Sequence, residues 1–186
     1  MKYDSTFDTQ NHIIQVRHLL FYCIQNLINR AEDHDASKLE SPEKEIFDEF
    51  TPKLRELTYG SPEYKQALKD MGPALNHHYI CNSHHPEFFA PIVNDEIGEI
   101  NAYLENLDKD DPAKRWLESY RNELESRLNG MSLLDVMEML ADWKAAGMRH
   151  KDGNLADSLE INHTCFKISD QLQSILINTA QELGWI

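Results

Sequence analysis

Glycine and proline are both scarce, with seven of each in 186 residues. Folds of many short strands need these residues at their turns, and disordered chains are usually rich in them, so both classes are disfavoured. Cysteine is scarcer still: Cys23, Cys81 and Cys165 stand far apart, odd in number and without a CxxC pair. That argues against a disulfide framework and against a thiolate zinc site, and it fits reduced thiols in the cytoplasm. No run approaches ~18 apolar residues, so no membrane span is expected. The opening MKYDSTFDTQ lacks the apolar stretch of a secretion signal. Positive charge is short as well, with 18 Lys and Arg against 32 Asp and Glu, a net charge of -14. Such a surface repels a nucleic-acid polymer. A small anion remains a plausible ligand where a metal ion supplies local positive charge.

What is present is an ordinary globular composition, 41% hydrophobic and 27% charged, in a length that suits one domain over residues 1–186. Apolar residues recur with helical rather than alternating period. The expectation is an all-α bundle of about seven helices. The first runs from about Asp8 to Ala31, with Ile13, Val16, Leu20, Ile24 and Leu27 on its apolar face. Ser41-Pro42 and Ser61-Pro62 read as cap-plus-proline starts of the second and third, the third reaching about Asn82. Pro86 and Pro91 read as stops. A fourth helix is expected over about Asn94 to Leu107. A fifth runs from Asp111-Pro112 to about Leu128 and stops at Asn129-Gly130. Ser132-Leu-Leu-Asp135 reads as a capping box opening a sixth, which ends near Gly147. One long last helix is expected over about 157–184, its core stripe formed by Ile161, Cys165, Ile168, Leu172, Ile175, Thr179 and Leu183.

The histidines carry the chemistry. There are nine, and His77, His78, His84 and His85 fall within nine positions beside Glu87. If the helix persists through this stretch, His78, Asn82 and His85 share one face and His77, Cys81 and His84 the next. Four histidines in register suit a metal or a phosphate-binding wall better than a core, although a frayed, solvated helix end would also accommodate them. His12 lies near the inward face of the first helix, where a hydrogen-bonded core histidine is the plainer role. His34-Asp35 pairs an imidazole with a carboxylate, both good ligands for a borderline divalent ion. Helix capping by Asp35 or Ser37 is the competing role there. Asp142 sits beside the stripe Leu133, Val136, Met139, Leu140 and Trp143, where a carboxylate needs a cation, either a metal or a Lys or Arg.

The ordered set His12-Ile-Ile-Gln-Val16, then His34-Asp35-Ala-Ser-Lys38, then Leu-Ala-Asp142-Trp resembles the HD superfamily of metal-dependent phosphohydrolases over about residues 8–146. HDASKLESPE is similar to the turn of the bacterial 5′-deoxynucleotidases, but Lys38 stands where that branch has an acidic residue, and Glu40 and Glu43 follow. NSHHPE is similar to histidine pairs that bind additional metals in other HD branches. The chain as a whole also resembles a small uncharacterised HD-like family of bacteria and their phages. The resemblance implies one or two divalent ions per chain (Mn, Mg, Co, Zn or Fe). His12, His34, Asp35 and Asp142 would hold the core ion, and His78, His84 and His85 a second one that Asp35 bridges. Lys38 would neutralise phosphoryl charge, and Glu43 or Glu87 would orient the attacking water. The implied substrate is a nucleotide or another small phosphate ester. An HD-like di-iron oxygenase and a non-catalytic metal- or nucleotide-sequestering protein are the alternatives, and the last helix offers a possible homodimer contact.

Overall fold

A computed structural model describes residues 3–108, 111–124, 130–149 and 153–186, with the backbone alone at 90–96 and 123–124. Every regular element in them is helical: eight α-helices and two single 3-10 turns, with no strand. None of these helices is long and apolar enough to cross a membrane. The expected ends at Leu128 and Asn129, and part of the loop after Met148, lie outside the described residues.

The chain divides into two compact units, Met1–His34 and Asp35–Ile186. The first is essentially α1 (Thr6–Asp33). Its N-terminus is tied by Asp4, whose carboxylate accepts from the Thr6 backbone N–H at 3.0 Å and from the Thr6 hydroxyl at 2.6 Å. His34 ends the helix, with ψ of 125° breaking the helical path. Ile13, Val16, Leu20 and Ile24 are exposed along it.

The second unit opens with a 3-10 turn, Ala36–Leu39, then α2 (Glu43–Arg55) and α3 (Pro62–Cys81). Ser61 caps α3 as expected, its hydroxyl accepting from the Tyr64 N–H at 3.1 Å. Gly72 interrupts α3 with φ 50° and ψ -122°, and Pro73 follows. Only glycine is comfortable there, so α3 is two helical segments meeting at a bend. A second 3-10 turn (Pro86–Phe89) leads straight into α4 (Ala90–Glu105). Pro91 therefore does not stop a helix. It occupies the first turn of α4, where its missing N–H has no partner to lose. Asp111 caps α5 (Pro112–Leu124), accepting from Ala113 at 2.8 Å.

α6 (Leu133–Arg149) begins at the expected capping box: Asp135 accepts from the Ser132 backbone N–H at 2.8 Å, and Ser132 Oγ accepts from the Asp135 N–H at 3.2 Å. Its stripe Val136, Met139, Leu140 and Trp143 is buried, whereas Leu133 is exposed. The long last helix is in fact two, α7 (Leu155–Cys165) and α8 (Asp170–Glu182). Lys167 takes a left-handed φ of 50° between them, and the Ser169 hydroxyl caps α8 by accepting from Leu172. The turn breaks the expected stripe, so Cys165, Ile175 and Leu183 are exposed while Ile168 and Leu176 are buried. These last two join Val136, Met139, Leu140, Trp143, Leu155, Leu159 and Ala180 in the core of α6, α7 and α8.

A candidate metal centre

The residues of the centre come from three places in the second unit. Asp35 is held at φ 56°, in the left-handed region that Asp and Asn tolerate better than most residues. It precedes the 3-10 turn without capping it by its side chain, so the competing role as a cap is not taken up. His78 lies on the second segment of α3. The helix does not persist beyond Cys81, because Asn82 turns to an extended conformation (φ -124°, ψ 102°) and its side-chain amide donates to the His78 carbonyl at 2.8 Å. A tight turn follows, with the His85 N–H donating to the Asn82 carbonyl at 3.1 Å. His84 and His85 thereby fold back beside His78, with ring centroids 6.3 and 4.7 Å from it. Ser83 fastens this turn to α6 by donating to Asp135 at 2.6 Å.

Asp35, His78, His84 and His85 each present one ligand atom, and all four lie within 4.8 Å of one another. Asp35 Oδ1 is 3.4 Å from His78 Nε2 and 3.5 Å from His84 Nε2. His78 Nε2 and His85 Nε2 are 2.8 Å apart. A carboxylate oxygen of Asp142 also lies within 4.8 Å of one of Asp35.

The other nitrogens of two of these rings are held by carboxylates. His78 Nδ1 is 3.0 Å from Glu43 Oε2, and His84 Nδ1 is 3.0 Å from Glu138 Oε1. A carboxylate accepts, so Nδ1 of each ring carries a proton and Nε2 is the nitrogen that faces Asp35. Glu43 is wholly buried. Besides His78 it accepts from the Ser37 hydroxyl at 3.0 Å and pairs with His77 Nδ1 at 2.7 Å. Burial, reinforced by the neighbouring Lys38, pushes the His78 pKa down to about 4. Burial and the adjacent His84 push that of His85 down to about 3. Both rings are therefore neutral at pH 7, the form in which imidazole binds a metal.

Of the residues expected at a metal site from sequence, the structure brings together Asp35, His78, His84 and His85, with Asp142 close by. His12 and His34 belong to the first unit, where His12 is exposed on α1 and His34 is half-buried at its end. Lys38 lies at the centre, its ammonium 2.6 Å from Asp35 Oδ2 and over the Phe47 ring at 5.0 Å. Glu43 stands behind the histidines as a positioning residue, since its oxygens are taken up by His77, His78 and Ser37. Glu87 lies in the 3-10 turn after His85 and contributes to the field at Tyr59, whose pKa burial raises to about 12. Sequence reasoning missed Glu138. Its signal was the i, i+4 spacing to Asp142 in EMLAD, which puts both carboxylates on one face of α6.

A separate cavity of about 340 Å³ lies at the far end of α2, lined by Tyr59, Trp143, Ile161 and Asn162 among others. α2 has 13 residues, so at ~1.5 Å per residue the cavity is roughly 18 Å along that helix from Glu43.

Residues 1–182 match the model of a family of unknown function, DUF5662. The chain belongs to that family. No curated protein and no solved structure matches it.

Proposed function

We propose that this protein is a divalent-metal-dependent phosphohydrolase acting on a nucleotide or another small phosphate ester, and that it is a member of the HD superfamily. The observation that carries the reading is the convergence of Asp35, His78, His84 and His85 with their ligand atoms within 4.8 Å, two of the rings held by the carboxylates of Glu43 and Glu138. That is the arrangement by which metal-binding histidines are oriented and made more basic. The donor set, three imidazoles and a carboxylate, fits zinc, cobalt, manganese or iron better than magnesium, which prefers oxygen ligands. Such an ion lowers the pKa of bound water and polarises a phosphoryl oxygen.

The chain's own residues supply the rest. Asp35 carries the one negative charge among the four ligands. Lys38, within reach of Asp35, offers a cation to a phosphoryl oxygen at no cost in proton transfer. Asp142 adds a second carboxylate within 4.8 Å of Asp35, suited to orienting water. The acidic surface (net charge -14) favours a small substrate over a polymer.

The test is elemental analysis of protein purified without chelators, beside Asp35→Asn, followed by a screen of nucleotides and small phosphate esters with manganese, cobalt or zinc. One or two ions per chain, lost in the variant, with metal-dependent release of phosphate, is the expected result. Bound iron with oxygen-dependent turnover would replace the hydrolase by an oxygenase. Wild-type protein that takes up no metal even on addition would sink the reading.

A further inference from the structure

A second cluster lies on the outer side of Glu43. Its Oε1 is 2.7 Å from His77 Nδ1, and Cys81 Sγ is 3.8 Å from the same nitrogen. The three ligand atoms of Glu43, His77 and Cys81 all lie within 4.8 Å of one another. His77 and Cys81 are i, i+4 on the second segment of α3, so they share one face. That face is open: the His77 side chain is 39% exposed, and Cys81 is exposed. The absence of CxxC pairs argues only against sites built of several thiolates. This cluster needs one.

We propose that Glu43, His77 and Cys81 form a site for a thiophilic divalent ion, zinc above all, distinct from the histidine centre and coupled to it through Glu43. A tetrahedral zinc bonds nitrogen at ~2.0 Å and sulfur at ~2.3 Å, which separates those two donors by roughly 3.5 Å. The sulfur is 3.8 Å from Nδ1 and 3.7 Å from Nε2, so the distance is near that spacing and the ring must turn to aim Nδ1 at an ion shared with Cys81. The Glu43–His77 contact is at hydrogen-bond length and must open by roughly 0.6 Å, which the half-exposed His77 ring can accommodate. Binding at Nδ1 moves the His77 ring proton to Nε2, releases the thiol proton of Cys81 to solvent, and leaves the fourth position to water. The soft sulfur selects zinc or cobalt over magnesium and manganese. Because Glu43 Oε2 also holds His78 Nδ1, an ion on Oε1 withdraws electron density from the carboxylate that orients the inner ligand. This coupling, unlike the outer site itself, rests on the reading of the inner centre proposed above.

The experiment is titration of metal-free, full-length protein with cobalt(II), followed by absorption. The expected result is a near-ultraviolet thiolate-to-cobalt charge-transfer band in wild type and in His84→Ala. The band is lost in Cys81→Ser and kept when Cys23 and Cys165 are both replaced by serine. Circular dichroism reports whether each variant is folded. His77→Gln is the second variant, and it should weaken the band's midpoint at least tenfold. Absence of the band in wild type at saturating cobalt, or its survival in Cys81→Ser, would overturn the proposal. A charge-transfer band without a second, thiol-independent equivalent would leave the outer site standing and refute the inner one.

Discussion

Replacing Glu138 by alanine separates metal affinity from stability at the histidine centre. In the native arrangement the carboxylate accepts from His84 Nδ1 at 3.0 Å and so keeps the proton off Nε2. Without it, His84, only 2% exposed, has an Nδ1–H with no carboxylate to receive it, and a buried unsatisfied donor costs ~1–3 kcal/mol. The ring can avoid that cost by moving its proton to Nε2, which faces Asp35 Oδ1 at 3.5 Å. A small closure of that gap makes a charge-assisted hydrogen bond that offsets the lost one. The metal-free variant is therefore expected to unfold within about 1 kcal/mol of wild type. Metal binding must reverse the tautomer and expose the donor again, so affinity falls by ~10–100-fold, or about 1.4–2.7 kcal/mol. Glu138→Gln, which can turn its amide oxygen to His84, should fall between the two. Calorimetric titration with zinc or manganese, paired with urea denaturation of the metal-free proteins, reads both quantities. Equal metal affinity in Glu138→Ala and wild type would refute the reasoning, as would a stability loss as large as the affinity loss.

Asp35→Asn should abolish high-affinity binding at the centre and metal-dependent turnover while leaving the fold intact, because asparagine tolerates the left-handed φ of 56°; circular dichroism and metal content check both halves. In metal-free protein, stability should fall as the pH drops from about 6.5 toward 4. His78 and His85 titrate near 4 and 3 when folded but near 6.5 when unfolded, so in that window the unfolded chain holds more protons and stability rises with pH. Denaturation midpoints across this range test it, and a slope unchanged in His85→Asn would count against it. Leu140→Ala, at a fully buried position, should cost ~2–5 kcal/mol without changing metal stoichiometry, which separates core from centre by thermal melting and elemental analysis.

The helical class and most helix starts were legible because local chemistry sets them. Ser61-Pro62, Asp111-Pro112 and the Ser132–Asp135 box act within a few residues of themselves. Pro91 misled because proline stops one helix and starts another by the same lack of an N–H, and only the turn at Pro86–Phe89 decides which. The break at Lys167 was hidden because Ile168 and Leu172 continue the apolar period across it, although Ser169-Asp170 is a recognisable cap. At the candidate centre, Asp35 and the histidines after His77 were readable as possible ligands from their chemistry alone. Their geometry was not, because an unbroken helix would spread His78, His84 and His85 over two faces. The return of the chain at Asn82 brings them together instead. Glu43 and Glu138 were hard to see as a pair, being far apart in sequence and joined only through the rings they hold.

The bend at Gly72 sets the direction of the segment of α3 that carries His78. Six positions separate it from His78, a lever arm of roughly 9 Å at helical rise. A change of about 10° at the bend would swing the His78 ring by roughly 1.6 Å, three times the tolerance of about 0.5 Å within which a functional constellation must be held. Such a swing also moves His77 and His78 against Glu43 and Phe47 of α2. One peptide unit thus links the direction of His78 to its seat on α2, so a substitution that shifts the bend reaches the ligand atom and the carboxylate behind it together.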